Sequence, residues 1–213
     1  TGAVEMSEIH GGDIYRHPDV LDYSANINPL GTPPGVIRAA KDSMERVCHY
    51  PDACQEKLKQ ALAEYEQVPV EWLICGNGAA ELIFALVQAV KPKRALVLAP
   101  TFAEYAQALE AVGCEVNREI LKKEDGFTLQ DKILDRLQKE DLQMVFLCNP
   151  NNPTGYLYTR REMNQIRDLV KKYDLYLFSD EVYREFIYTG SPYISACHLE
   201  GIEDNVVLID SVS

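Results

Sequence analysis

The chain has 213 residues, 46% of them hydrophobic and 25% charged, the balance of a soluble globular protein large enough for one sizeable domain or one and a half. Its formal charge of −12 argues against a nucleic-acid surface or an anionic membrane as partner. The six cysteines form no C-x-x-C pair, the four histidines lack metal-ligand spacing, and every apolar run is far too short to span a bilayer. These features predict a reduced, cytoplasmic protein with no disulfide framework and no metal site.

The opening, Thr1 to Asp19, is polar and contains His10-Gly11-Gly12-Asp13; on its own it reads equally well as a disordered arm. Leu21 to Gly31 carries Asn26 and Asn28-Pro29, a turn signal. Thr32-Pro33-Pro34 opens a helix to about Val47, because proline is tolerated in a first turn. Asp52, in Tyr50-Pro51-Asp52, is a candidate N-cap for a helix over Ala53 to Glu66, with Leu58, Ala61, Leu62 and Tyr65 on one face. Trp72 to Cys75 reads as a short strand. It leads into Gly76-Asn77-Gly78-Ala79-Ala80-Glu81 and an apolar helix through Val90. A glycine turn at a helix N-terminus aims free N–H groups and the helix dipole at one spot, where an anion fits. Alone, such a turn is more often a plain β-α connection.

The rest alternates. Ala95 to Ala99 is a strand tipped by Pro100-Thr101-Phe102, Ala103 to Val112 a helix ended by Gly113, and Glu115 to Ile120 a strand. Thr128 opens a helix, with Asp131 in its first turn, that runs to about Lys139. Met144 to Cys148 is a strand passing into Asn149-Pro150-Asn151-Asn152-Pro153-Thr154-Gly155; Thr159-x-x-Glu162 is a capping box opening the next helix. Leu175 to Phe178 is a strand ending in Ser179-Asp180-Glu181-Val182-Tyr183, and Val206 to Asp210 a last one before Ser211-Val212-Ser213. Repeated βα units mean a largely parallel sheet with helices on both faces. The polar tips then share the carboxyl edge, where open α/β sheets bind ligands. An amide, a carboxylate and a phenol there (Asn152, Asp180, Tyr183) suit a flat, protonatable heteroaromatic ring bearing a hydroxyl. Neither a G-x-G-x-x-G nor a G-x-x-x-x-G-K-[ST] loop is present, which disfavours a nucleotide fold. Phe102 alone would be a core aromatic and Asp180-Glu181 a helix cap.

In combination, Gly-Asn-Gly, Pro-Thr-Phe, Asn-Pro-Asn-Asn-Pro-Thr-Gly and Asp-Glu-x-Tyr, in this order and spacing, resemble the fold-type I aminotransferases (class I/II), which use pyridoxal 5′-phosphate (PLP). The resemblance implies an α/β fold: the three-layer α/β/α PLP-dependent transferase large domain with a mostly parallel central sheet. It implies an amino-terminal arm and substrate-side segment over residues 1–34 and a PLP-binding large domain over 35–213. Gly78, Ala79 and Ala80 would give N–H groups to the PLP phosphate, Phe102 would stack on the ring, and Asn152 and Tyr183 would hydrogen-bond the ring oxygen. Asp180 would pair with the pyridine nitrogen and keep it protonated, so that the ring accepts electrons from the substrate α-carbon. Ser211 and Ser213 match serines that bind the phosphate. Tyr50 matches a tyrosine that reaches the cofactor of the neighbouring subunit, which makes a homodimer the expectation. The Schiff-base lysine is expected directly after Ser213, and the small carboxyl-terminal domain with its carboxylate-binding arginine is missing from this chain. The expectation is therefore a piece of a longer enzyme.

Ser24-Ala25-Asn26-Ile27-Asn28-Pro29-Leu30-Gly31, with His10-Gly11-Gly12 and Tyr50-Pro51-Asp52, resembles the L-threonine-O-3-phosphate decarboxylases of cobalamin biosynthesis. In that group His10 and Asn26 would lie near a phosphorylated amino-acid substrate, and the products would be (R)-1-amino-2-propanol O-2-phosphate and carbon dioxide. Histidinol-phosphate aminotransferases are the second resemblance, and Tyr183 is an ordinary aminotransferase residue. A PLP-binding, non-catalytic fragment is the third reading.

Overall fold

The computed structural model describes residues 12, 14–130 and 141–211. The chain divides into two compact units, Thr1–Cys75 and Gly76–Ser213.

Gly76–Ser213 is built on a five-stranded sheet: β1 (Arg94–Ala99), β2 (Glu115–Ile120), β3 (Met144–Cys148), β4 (Tyr176–Asp180) and β5 (Val206–Ile209). The order is β2-β1-β3-β4-β5 and every pairing is parallel. All five strands match the sequence reading to within a residue or two. Strands buried on both sides read as continuous apolar runs, and β3 is buried along its whole length. Their pleat sorts side chains onto two faces. Leu96, Leu98, Val145, Leu147 and Leu177 point to one face, against Met163, Ile166 and Val170. These three lie on a helix over Arg160–Tyr173. Ala95, Val97, Met144, Phe146 and Phe178 point to the other, against Ile83 and Val87 from the helix Gly78–Val90 and Tyr105, Ala108 and Leu109 from Glu104–Ala111. The three layers inferred from the alternation of strands and helices are thus present.

The helix over Arg160–Tyr173 starts where its capping box says. Thr159 Oγ1 accepts from the Glu162 N–H at 3.3 Å, and Glu162 Oε2 accepts from the Thr159 N–H at 2.8 Å. Glu162 does more than cap. Its buried carboxylate also accepts from the Tyr156 hydroxyl (2.8 Å) and the Leu129 N–H (2.9 Å). Glu162→Ala is expected to cost about 2 kcal/mol in a denaturant titration, because it strands several buried donors at once. A loss under about 0.5 kcal/mol would show that these bonds add little.

Thr1–Cys75 carries two helices, Pro34–Ser43 and Glu56–Glu66, so in chain order the helices are α1 and α2 here, then α3 (Gly78–Val90), α4 (Glu104–Ala111) and α5 (Arg160–Tyr173). A 3-10 turn over Met44–Arg46 extends α1 toward Val47, as expected. Asp52 is not the N-cap of α2: the helix begins three residues later than expected, with Gln55 at the cap position in the left-handed region and no side-chain cap bond. The Asp52 carboxylate still accepts from the Glu56 N–H at 2.9 Å and the Cys54 N–H at 3.0 Å. Those two backbone N–H bonds, from Glu56 and Cys54, hold the Asp52 carboxyl below its ordinary value. Among the described residues of this unit none is buried, and Leu21, Tyr23, Leu30, Val47, Tyr50 and Tyr65 are exposed.

Two further expectations change. Trp72 to Cys75 is not a strand: Val70–Trp72 is a 3-10 turn, and the extended backbone after it pairs with no strand. Four apolar residues satisfy a strand pattern, yet Trp72 and Ile74 both stay exposed, so no burial gain fixes a pairing register. Thr128 to Gln130 is not helical, and the remainder of the helix expected to Lys139 lies outside the described residues.

Candidate active site

The carboxyl edge of the sheet has a reversal in strand order. From β1 the chain adds β2 on one side, then crosses back to place β3 on the other, and β4 and β5 continue outward. Open α/β sheets bind ligands at such a switch point. Phe102 follows β1 and Asn149 to Asn152 follow β3, so both flank it. Cys148, Phe178 and Ile209, near the ends of β3, β4 and β5, share one apolar cluster with Ile83 of α3, and Ala79 and Phe102 pack against it. The start of α3 and four strand ends therefore gather on one face of the sheet.

The pleat separates the two adjacent carboxylates after β4. Asp180 continues the register of Phe178 and faces the α3/α4 side; Glu181 turns to the α5 side. Glu181 is fully buried and well supplied with donors: Ser179 Oγ at 2.9 Å, the Ala196 N–H at 2.8 Å and the Tyr193 hydroxyl. It ties the segment after β4 to the core. Asp180 is 6% exposed and has two donors within the protein. Tyr105 donates its hydroxyl to Oδ2 at 2.5 Å, and the Val182 N–H donates to Oδ1 at 3.2 Å. Burial is the largest influence on Asp180 and raises its pKa above the ordinary carboxylate value, while the two hydrogen bonds work against that rise.

Tyr105 was not among the residues singled out from sequence. It is fully buried, stacked on Phe146 (centroids 4.9 Å apart, 15° between planes) and edge-on to Phe102 (5.6 Å, 71°). Burial pushes its phenol well above the ordinary value, with Cys148 and Asp180 adding to the effect, so it remains a donor. The only sequence signal for it is its place three residues after Phe102, on the first turn of a helix.

The turn before α3 fits an anion. Gly78 has φ +84°, a conformation that disfavours a side chain, and a Cβ there would meet nothing within 4 Å. At Gly76 a Cβ would come within 2.9 Å of Leu82 Cδ2. The Glu81 carboxylate accepts from the Asn77 backbone N–H and, at 3.1 Å, from its side-chain amide. That binds the residue ahead of the helix and leaves the first-turn N–H groups of Gly78, Ala79 and Ala80 facing outward from the helix end.

Elsewhere the Asn152 N–H donates to Cys148 Sγ at 3.3 Å. Burial, ahead of the Asp180 charge, pushes the Cys148 thiol up to about 12, so it stays neutral. Tyr183 is half-buried and edge-on to Phe186 (5.9 Å, 73°). Ser211 is half-buried beside Asp210, which an Arg184 guanidinium nitrogen meets at 2.8 Å. In the other unit Asn26 is exposed and Tyr50 wholly so, at 101%. His10 and Ser213 lie outside the described residues. All six cysteines are free thiols. Among the described residues no helix is long and apolar enough to cross a membrane.

Residues 18–213 match the family model described as aminotransferase class I and II. The chain belongs to this family. Its cofactor is pyridoxal 5′-phosphate, and the family's members are enzymes. Among the relatives of this class I/II chain, a threonine-phosphate decarboxylase from Salmonella typhimurium is 44% identical over 90% of the chain and 54% of its own length. A histidinol-phosphate aminotransferase from Desulfitobacterium hafniense is 37% identical over 79% of the chain and 48% of its own length. The aromatic aminotransferase of Pyrococcus horikoshii superposes with a TM-score of 0.76 at 26% identity, over 85% of this chain and 52% of that one. The chain spans about half the length of the relatives it matches.

Proposed function

We propose that the carboxyl edge around Asp180 is a PLP site and that the whole protein is a PLP-dependent enzyme acting on a phosphorylated amino acid, foremost as an L-threonine-O-3-phosphate decarboxylase. The observation that carries the site is Asp180, a buried carboxylate with spare lone pairs. It shares a face with the helix N-terminus of α3 and with Phe102. Such a carboxylate fits a protonated ring nitrogen, and the α3 turn fits a phosphate. Bound there, PLP supplies an electron sink for a bond broken at the substrate α-carbon.

The chain's own residues then have separable tasks. Asp180 holds the proton on the ring nitrogen. The N–H groups of Gly78, Ala79 and Ala80, with Ser211 and Ser213, hold the phosphate. Phe102 lies against the ring, and Asn152 and Tyr183 hold its oxygen. The exposed apolar side chains of Thr1–Cys75 and the fully exposed Tyr50 support a homodimer in which the partner subunit's Tyr50 completes the site. Asn26 and His10 belong to the substrate side.

Decarboxylation is favoured by the 44% identity to the Salmonella relative, together with the Ser24 to Gly31 segment. Transamination of the histidinol-phosphate kind is the second reading, supported by the relatives at 37% identity and by Tyr183. Full-length enzyme incubated with O-phospho-L-threonine is expected to release carbon dioxide and aminopropanol phosphate without an added keto acid. A requirement for 2-oxoglutarate, with glutamate as product, would overturn the decarboxylase reading and favour the aminotransferase.

A further inference from the structure

Tyr105 is a fully buried phenol whose hydroxyl donates to the Asp180 carboxylate, a group with a proposed chemical role, and also has the Cys148 thiol beside it. Its ring is clamped between Phe146 and Phe102, so the hydroxyl has little freedom to point elsewhere. A buried tyrosine serving packing alone could be a phenylalanine; the hydroxyl costs desolvation unless it is bonded. Here it is bonded to the one carboxylate on this face of the sheet edge that the proposed function uses.

We propose that Tyr105 is a positioning residue that fixes the rotamer of Asp180 and holds it ionised toward the cofactor's ring nitrogen. This rests on the reading of Asp180 as the ring-nitrogen partner. A carboxylate on a strand end has a loose terminal torsion. Two donors from different elements, Tyr105 on α4 and the Val182 N–H just after β4, fix Oδ2 and Oδ1 separately. The remaining lone pairs are left for a donor from the ligand side. The titratable groups facing Asp180 are Tyr105 from α4, Cys148 from β3, Asp210 after β5, and Glu181 beside it in the chain. Asp210 is offset by Arg184. Cys148 and Tyr105 are both held neutral by burial, and Glu181 lies on the opposite face. Of these groups, Tyr105 alone donates a hydrogen bond to the Asp180 carboxylate, and such a bond favours the charged form. The contact also links Phe102 to Asp180 through one rigid ring, so the surface under the cofactor and the group at its edge keep a fixed relation.

The test is Tyr105→Phe in the full-length holoenzyme, with Asp180→Asn as control. Phenylalanine keeps both ring contacts, so the melting temperature of the cofactor-free protein reports whether packing survived. The first readout is PLP affinity against pH by equilibrium dialysis. The second is the 15N chemical shift of ring-labelled PLP, which follows protonation of that nitrogen. In Tyr105→Phe the acid limb of the affinity profile is expected to move up by roughly half a pH unit or more. The 15N signal is expected to move toward the neutral ring. Tyr105→3-fluorotyrosine, a stronger donor of the same shape, moves both the other way, and it decides the matter if the phenylalanine variant does not fold. If Asp180→Asn alters both readouts while the two position-105 variants match wild type, Tyr105 is only a core aromatic and the inference is overturned. If Asp180→Asn itself leaves both unchanged, the reading of the site has failed instead.

Discussion

Asp180→Asn is expected to lower turnover of the full-length enzyme by on the order of 10^3-fold, the scale on which one pre-organised charge partner acts in a water-poor site. The asparagine is isosteric, so PLP still finds the α3 turn and the Phe102 face. What disappears is the negative charge that keeps the ring nitrogen protonated. A fall below about threefold would mean that Asp180 does not meet the cofactor. Folding should respond differently. The folded-state pKa of Asp180 is raised, with burial the leading cause. A raised carboxyl contributes stability that is full below its unfolded pKa and lost as pH rises through the folded value. Ionising this buried carboxyl in the cofactor-free protein therefore carries a cost that grows as pH rises. The melting temperature of Asp180→Asn relative to wild type should thus rise between pH 4 and pH 7 in cofactor-free protein. A relative fall over that range would show that the hydrogen bonds from Tyr105 and Val182 outweigh burial.

Gly78→Val is the second large effect. The position has φ +84°, which a β-branched residue reaches only at about 1–2 kcal/mol or more. A new Cβ would project into the open space at the end of α3, where the phosphate is proposed to sit. PLP affinity is expected to drop at least ~100-fold, the strain and the lost N–H geometry acting together. The core under α3 is untouched, since Ile83 and Val87 lie further along the helix. A variant that folds and binds PLP as wild type does would move the phosphate site elsewhere.

Much of the fold was legible because parallel strands buried on both faces leave a plain mark. Met144 to Cys148 is one unbroken apolar run, and Thr159-x-x-Glu162 marks a helix start with two reciprocal bonds. Trp72 to Cys75 misled because apolar residues predict a strand only where a partner covers them. Asp180 and Phe102 were legible as motif members, but a motif has no parity. The pleat, seen only once β4 is registered against β3, sends Asp180 to the α3/α4 face and Glu181 to the other. Tyr105 was hidden for a related reason. On a helix with Ala106, Ala108 and Leu109 it reads as one more buried residue, and its bond to Asp180 spans 75 positions of sequence. Long-range polar contacts of this kind leave no local pattern.

The most direct test is a crystal structure of the full-length protein grown with PLP. The expected result is a ring nitrogen within hydrogen-bond distance of Asp180, with the phosphate on the N–H groups of Gly78, Ala79 and Ala80. PLP seated away from the β4 end, or a phosphate held by any other helix, would contradict the account.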